Sequence, residues 1–457
     1  MTIAAISTAV GEAGIGIVRI SGKKALDIGN SVFKGNKITE INEENNRKLI
    51  YGHIIDKKND YIIDEVLISF MKGPTTYTRE DMVEIYCHGG IISVRRVLEL
   101  ILNNGARLAE PGEFTKRAFL NGRLDLSQAE AVMDMIKAKT DKSFEVSLDQ
   151  LEGSLSRKIK EIRNILLEMI AHIEVSIDFP DEDTEEMTYD DLKRNGNIVR
   201  EEIEKLLLTS DRGKILRDAL NTVILGKPNV GKSSLLNSIL GDNRAIVTDI
   251  PGTTRDIIEE YVNIDGIPLR IIDTAGIRNT EDLVEQIGVN KAKESVEKAD
   301  LIIVVFDASR ELSEEDHEII KLIQGKKSII LLNKVDLMPK YDIEHLKSLL
   351  DGQEIITTSI TSGIGVDLLE NSIKSLFFAG DVEINSNVII TNMRHKNQLV
   401  KALENINQGI EELNGNVPID CVEVELKNCW DNLGEISGDT IGEDILDKIF
   451  SEFCIGK

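Results

Sequence analysis

Residues 226 to 233 read Gly-Lys-Pro-Asn-Val-Gly-Lys-Ser. Glycines at the first and sixth places, followed by Lys and Ser, suit a loop that turns its backbone N–H groups inward around phosphates. Lys232 is then placed for β/γ-phosphate oxygens and Ser233 for Mg²⁺, with Asn229, Val230, Gly231 and Ser234 completing the wrap. Further along, Leu331-Leu332-Asn333-Lys334-Val335-Asp336 is an apolar run ending in Asn-Lys-x-Asp. A carboxylate accepts from guanine N1–H and the 2-amino group, a donor pair that adenine lacks. Asp336 therefore reads guanine, and Lys334 packs its stem along the ring. Ile271-Ile272-Asp273-Thr274-Ala275-Gly276 closes in Asp-x-x-Gly, where Asp273 suits a water-mediated Mg²⁺ contact and the Gly276 N–H suits a γ-phosphate. Between these, just after Thr248-Asp249-Ile250-Pro251, lies Gly252-Thr253-Thr254-Arg255-Asp256, a switch-like segment in which one Thr, Thr254, can complete the Mg²⁺ shell.

Each piece needs an element to aim it. Thr222–Leu225 reads as a buried strand ahead of the first loop, and Ser234–Leu240 as a helix after it. A helix N-terminus pointed at phosphate contributes its dipole and free N–H groups. In this order, within residues 226–336, the motifs resemble the GTP-binding domain of the translation-factor-related GTPases. Ile277 stands where Ras-type enzymes carry a water-orienting Gln, so the nucleophile must be oriented by another group. Asn229 resembles the residue that marks potassium-dependent GTPases, and a K⁺ shell would draw on Asn229, Thr248, Ile250 and Thr253. Ser359-Ile360-Thr361 stands where such proteins carry Ser-Ala-Arg or Ser-Ala-Lys; its backbone N–H can meet guanine O6 whatever the side chain.

The chain's 457 residues exceed one core, so two or three domains are expected. Net charge −25 is the wrong sign for general nucleic-acid binding, which works through Lys and Arg; a tRNA substrate would need a local basic patch or a partner's. Aromatic residues at 4% leave few stacking platforms. Cys87, Cys421, Cys429 and Cys454 form no C-x-x-C pair, which favours a reducing, cytoplasmic setting without structural zinc. No apolar run of about 18 residues occurs, so no membrane span is expected, and Met1–Val10 makes a poor signal peptide.

The texture changes along the chain. Gly16–Ile20, Val66–Phe70 and Val83–Tyr86 read as strands and Ile91–Leu102 as a helix, an α+β domain over 1–119. Ser127-Gln128-Ala129-Glu130 reads as a capping box opening a helix. Leu148, Leu151, Leu155, Ile159, Ile162, Leu166, Met169, Ile173 and Ile177 then step by three and four along one long amphipathic helix stopped at Phe179-Pro180. Ile198–Leu208 offers a second helix, and Ile390–Leu413 and Ile441–Phe453 two more. The expected architecture is multidomain, α/β and α+β: a helical domain in two parts, 120–216 and 377–457, interrupted by a P-loop GTPase domain at 217–376. Such insertions are tolerated when the inserted domain's ends lie close together.

End to end, the chain resembles the MnmE (TrmE) family of tRNA-modifying GTPases. The resemblance rests on Gly16-Ile17-Val18-Arg19-Ile20-Ser21-Gly22, on the long run Glu110 to Leu126, and on the terminal Cys454-Ile455-Gly456-Lys457. It implies an N-terminal domain that dimerises and binds a 5-formyl- or 5,10-methylene-tetrahydrofolate through Arg19, Glu84, Arg123 and Lys457. Arg123 and Lys457 would meet the glutamate carboxylates. It implies Glu285 as the residue that orients the nucleophile through a bridging water. It implies an FAD-containing partner, MnmG (GidA), and a carboxymethylaminomethyl-type addition at C5 of the wobble uridine. Cys454 would then lie near the one-carbon unit, as a nucleophile or as part of the wall; the bland reading is a small buried hydrophobe beside Phe450 and Phe453. A GTP-dependent assembly factor or switch without modification chemistry is the alternative.

Overall fold

The structure, a computed structural model, describes residues 1–178, 189–241, 245–246, 260–272, 293–338, 343–350, 353–378, 388–415 and 417–456. Two compact units divide the chain: 1–133 with 150–171 and 426–457, and 134–149 with 172–425.

The first unit is built on a seven-stranded sheet: β1 (Ile3–Ile6), β2 (Gly16–Ser21), β3 (Phe33–Gly35), β4 (Ile50–Asp56), β5 (Tyr61–Met71), β6 (Met82–Cys87) and β7 (Arg107–Leu108). Its order is β3-β4-β5-β6-β2-β1-β7, antiparallel except for β1 beside β7. Residues of one parity, among them Val18, Ile20, Ile54, Val66, Ile68, Val83 and Ile85, are buried with Val94, Val97 and Ile101 of the helix Ile91–Asn103. The opposite parity carries Arg19, Ser69 and Glu84. Alternation at period two therefore separates a core face from a face that can do chemistry.

Helices from far apart in the chain complete this unit. Leu126, Ala129 and Met133 share one apolar cluster with Leu446, Phe450 and Phe453. Arg163 stacks on Trp430 with its guanidinium carbon 3.8 Å from the ring centroid, and it also pairs with Asp439. In the second unit the helix Met393–Asn414 packs along the helix Tyr189–Leu208; a Cβ at Gly196 would stand 3.1 Å from Ile410. Helical segments on either side of the GTPase motifs thus share apolar packing within each unit.

Three local readings need correction. The box at the start of the helix Leu126–Lys137 is Asp125 with Gln128: Gln128 N–H donates to Asp125 Oδ1 at 2.9 Å, and Asp125 N–H donates to Gln128 Oε1 at 3.0 Å. Ser127 sits inside the first turn and donates its hydroxyl to Asp125. The long stripe is two helices, Asp141–Leu151 and Ser154–Asp178, separated at Gly153, whose φ is +83°. Leu155, Ile159, Ile162, Leu166, Met169 and Ile173 are buried, but Ile177 is not. A further helix, Ile419–Ser437, was not expected; Val422, Leu426, Cys429, Leu433 and Ile436 form its buried seam at steps of four and three.

The second unit holds a seven-stranded sheet: β8 (Leu220–Leu225), β9 (Ala245–Ile246), β10 (Glu260–Ile264), β11 (Ile267–Ile271), β12 (Leu301–Asp307), β13 (Ser328–Asn333) and β14 (Glu354–Thr358). The order is β14-β13-β12-β8-β11-β10-β9, with β14 to β11 parallel and β10 and β9 antiparallel. Parallel strands covered on both faces read as unbroken apolar runs, and β12 and β13 are buried along their whole length. In such sheets the carboxyl ends of the strands open onto the ligand crevice. No helix among the described residues is long and apolar enough to cross a membrane.

Gly112, at φ +66°, is a close contact between the N-terminal sheet domain and the C-terminal segment. Its N–H donates to the Cys454 carbonyl at 3.3 Å, and an added Cβ would meet the Phe450 carbonyl at 2.6 Å and Phe453 Cβ at 2.8 Å. Gly112→Ala combines a left-handed penalty of about 1–2 kcal/mol with a backbone clash. Amide hydrogen exchange should quicken across Leu446–Gly456 in that variant; unchanged protection there would contradict this account.

Candidate functional site

The octapeptide loop follows β8 and leads into the helix Lys232–Ile239. Its backbone is left-handed at Asn229 (φ +64°) and Gly231 (φ +112°) and also positive at Gly226 (φ +149°). Asn tolerates that region better than most residues, whereas the two glycines have no alternative. A Cβ at Gly226 would stand 2.5 Å from the Val305 carbonyl, and one at Gly231 2.3 Å from Asn333 Nδ2. Lys232 folds its ammonium inside the loop, donating to the carbonyls of Gly226 and Lys227 at 2.7 Å each, and burial lowers its pKa. A partly desolvated cation ringed by backbone, at a helix N-terminus, suits a polyanionic ligand.

Asn333 joins this loop to the others. Its Nδ2 donates to the Val230 carbonyl at 2.8 Å, and its Oδ1 accepts from the Ile360 N–H at 3.1 Å and from Thr358 Oγ1 at 3.3 Å. Buried Ser359 donates its hydroxyl to Asp336 Oδ1 at 2.7 Å, steadying the carboxylate expected to read the base. Thr361 follows in the short 3₁₀ turn Ile360–Ser362. The fold thus brings together Asn229, Val230, Gly231, Lys232, Asn333, Lys334, Asp336, Ser359 and Ile360, with Ser233 and Ser234 exposed at the helix start. Thr248, Asp249, Ile250, Pro251, Gly252, Thr253, Thr254, Asp273, Thr274, Ala275, Gly276, Ile277 and Glu285 lie outside the described residues.

Two carboxylates in this region escaped sequence reasoning. Asp307, buried at the end of β12, accepts from Lys334 Nζ at 2.7 Å, while the same ammonium donates to the Asn229 carbonyl at 2.7 Å. Burial alone would raise the Asp307 carboxyl, but Lys334 and two bonds from Ser309 hold it below the usual range. Asp316 is nearly solvent-free and lies 2.5 Å from Lys227 Nζ, tying the phosphate loop to the helix Glu314–Leu322. A lone Asp closing an otherwise apolar strand, as in Leu301–Asp307, was the available signal. Asp307→Asn removes the charge that holds Lys334 across the expected base site. Hydrogen bonds to charged groups contribute ~1.5–3 kcal/mol, so nucleotide affinity should fall about tenfold, read by titration with a fluorescent guanine nucleotide. An affinity equal to that of the parent chain would refute this positioning role.

A second cluster lies in the first unit. Arg19 on β2 and Glu84 on β6 are register partners, joined at 2.8 Å and largely shielded from solvent. They are therefore more than strand-end surface charge. Tyr86 donates its hydroxyl to Glu84 at 2.7 Å; burial first, then that bond, push its pKa up to about 12. The Arg19 guanidinium lies 5.8 Å from the ring centroids of both Tyr77 and Phe114. The C-terminal segment reaches the same place: the Gly456 carbonyl accepts from Ser7 Oγ at 3.2 Å and from Arg19 Nη1 at 3.5 Å. Phe450 and Phe453 are buried, but Cys454 is exposed, so it does not pack as a small hydrophobe. Lys457 lies outside the described residues. Arg123 stacks over Tyr77 at 4.6 Å and borders a cleft of about 760 Å³ that Tyr77 and Tyr86 also line. An aromatic-walled cleft bordered by arginine fits a planar, carboxylate-bearing molecule. Among the described residues no group of three or more His, Cys, Asp or Glu is arranged to hold a metal ion.

Comparison with known proteins bears on both clusters. Residues 2–123 match the family model for the GTP-binding protein TrmE N-terminus, and residues 126–454 match the model for the MnmE helical domain. The tRNA modification GTPase MnmE of Clostridioides difficile (strain 630) is 58% identical over 456 residues, covering 100% of this chain and 99% of that one. The protein of the same name from Alkaliphilus oremlandii (strain OhILAs) is 56% identical with the same coverage. That of Bacillus subtilis (strain 168) is 51% identical over 457 residues and the full length of both. With similarity this high along whole chains, the protein belongs to the tRNA modification GTPase MnmE family.

Proposed function

We propose that this chain hydrolyses GTP to drive a carboxymethylaminomethyl-type addition at C5 of the wobble uridine of certain tRNAs. It acts as a homodimer with an FAD-containing partner of the MnmG (GidA) kind, in the cytoplasm, and takes its one-carbon unit from 5-formyl- or 5,10-methylene-tetrahydrofolate. The observation that carries the modification reading is the C-terminal segment, whose Gly456 carbonyl sits on Arg19 beside Glu84 while Cys454 stays exposed. A switch without chemistry has no use for an exposed cysteine two residues before a backbone carbonyl that rests on Arg19. Arg19, Glu84 and Arg123 hold the folate, with Arg123 and Lys457 facing its glutamate carboxylates; the aromatic-walled cleft has the size and lining for it.

In the GTPase domain, Asp336 and Lys334 recognise guanine, and Asn333 keeps their loop in register with the phosphate loop. Lys232 exchanges two backbone carbonyls for phosphate oxygens as the nucleotide enters. Ser233 and Thr254 are the protein ligands of Mg²⁺, and Glu285 orients the attacking water that Ile277 cannot. Asn229 is exposed on the loop in a left-handed conformation, a placement that leaves its side-chain oxygen available to a monovalent cation. A K⁺ held there with Thr248, Ile250 and Thr253 supplies positive charge beside the β/γ-phosphates.

Hydrolysis should accordingly run faster in KCl than in NaCl at equal ionic strength, and Asn229→Ala should erase the difference. Equal rates of the parent chain in the two salts would sink the potassium assignment. The modification itself is tested by mass spectrometry of wobble uridines in tRNA from a strain lacking this gene and complemented with it or with Cys454→Ser. The parent gene should restore the 5-substituted uridine and the Cys454→Ser gene should not, although GTP turnover persists. No restoration by the parent gene leaves the switch reading standing; full restoration by Cys454→Ser removes the cysteine from the chemistry.

A further inference from the structure

The cleft beside Arg123 carries more positive charge than a monoglutamate folate requires. Arg47 and Arg79 line it together with Arg123, Tyr77 and Tyr86. Each of the three guanidinium groups is held by neutral oxygens. Arg47 donates to the Thr75 carbonyl and to Thr75 Oγ1, Arg79 to the Asn121 carbonyl at 2.8 Å, and Arg123 to the Tyr77 carbonyl at 3.1 Å. Among the described residues no carboxylate pairs with any of them. Three arginines of the same domain differ: Arg19 pairs with Glu84, Arg107 with Glu113, and Arg117 with both Glu80 and Glu113. In a chain of net charge −25, three unneutralised cations on one cleft are a local reversal of sign.

The backbone adds an independent observation. Arg47 and Arg79 both adopt left-handed conformations, φ +62° and +59°. A non-glycine residue there is strained, and such outliers concentrate at ligand clamps. Two of them, both arginine and both lining one cleft, point to a ligand that needs cations at those places.

We propose that Arg47 and Arg79 bind the γ-linked glutamate tail of a polyglutamylated tetrahydrofolate, so that the cleft prefers long-tailed folates. This rests on the folate reading of Arg19, Glu84 and Arg123. A monoglutamate carries two carboxylates, which the folate reading assigns to Arg123 and Lys457. Each further γ-linked glutamate adds one more carboxylate on an extended chain, and Arg47 and Arg79 are the remaining cations on the cleft. Carboxylate–guanidinium pairs of this exposed kind are individually weak and salt-sensitive, so their signature is a dependence of affinity on tail length that fades with salt.

The test is calorimetric titration of the full chain with the mono-, tri- and pentaglutamate forms of 5-formyl-tetrahydrofolate at low and high salt. The triglutamate should bind about fivefold or more tightly than the monoglutamate at low salt, with the gain shrinking at high salt. In an Arg47→Asn/Arg79→Asn double variant the gain should disappear; Asn is chosen because it accepts the left-handed backbone. An Arg47→Lys/Arg79→Lys variant should keep a reduced gain, which separates lost charge from lost fold. If the monoglutamate binds but tail length has no effect, the proposal fails while the folate reading stands. If no form binds, the folate reading fails and this proposal fails with it. A double variant that keeps its tail dependence yet loses affinity for tRNA would assign the two arginines to nucleic acid instead, and overturn it.

Discussion

The chain must return to where it began. Leu126 and Phe450 share one apolar cluster, and the Gly456 carbonyl rests on Ser7 and Arg19 at the head of the N-terminal sheet. Everything between those residues, including the whole nucleotide-binding sheet, is therefore an excursion from a closed point. Closure needs small residues where backbones meet. Gly112 lies against Phe450 and Phe453, Gly438 against Leu126 and Phe119, and Gly456 against the Ile6 carbonyl. All three have positive φ, so a side chain at any of them would face both strain and a clash. Buried aromatic rings give the joint its strength: Phe450 packs 5.1 Å from Phe453 and 6.3 Å from Phe119, and each buried ring of that size stabilises by about 1.5–3 kcal/mol.

The phosphate loop obeys a similar constraint with a different end. Asn333 is hydrogen-bonded to Val230, Thr358 and Ile360, so it ties the base-reading strand to the phosphate loop. Its Nδ2 leaves no room for a side chain at Gly231, which in turn caps the helix starting at Lys232. Asp307 and Asp316 brace the two flanking lysines, Lys334 and Lys227, from beneath. Removing a buried partner from such a pair leaves an uncompensated charge, which costs about 3–5 kcal/mol, so these braces bear on loop geometry as much as on stability.

How much of this could be read from sequence depended on whether the residues concerned are neighbours in the chain. The phosphate loop and Asn-Lys-x-Asp are contiguous, and their flanking strand and helix are strongly patterned; β8, β13 and the helix Lys232–Ile239 appear where the pattern places them. The Arg19–Glu84 pair depends on the register of β2 with β6, strands separated by three others in sequence, and only family resemblance picked it out. Arg47 and Arg79 carried no signal at all, since a left-handed backbone at arginine has no composition cue. The capping box was displaced by two residues because Ser127–Glu130 and Asp125–Gln128 fit the same spacing rule, and entry of the chain at Asp125 decides between them. Gly153 broke an otherwise continuous stripe, since periodicity reports faces and ignores backbone handedness. The seam of Ile419–Ser437 was missed because one of its steps is Cys429, a residue that packs as a hydrophobe but is seldom counted as one.

Partnering is what separates the arginines that build this molecule from those that can recognise something. Arg107 and Arg117 share Glu113, whose carboxyl burial would raise but whose two arginines and a backbone N–H hold below its usual range; that network is electrically complete and structural. Arg19 is intermediate, with Glu84 satisfying its Nε while Nη1 reaches the Gly456 carbonyl at the outer limit of a hydrogen bond. Among the described residues, the hydrogen-bond partners of Arg47, Arg79 and Arg123 are only carbonyls and a hydroxyl. Such partners fix the direction of a guanidinium without cancelling its charge, so the full Coulombic attraction stays available to an incoming carboxylate. In a chain of net charge −25, three such cations lining one cleft are a local reversal of sign, which is the physical basis of the anion-site proposal.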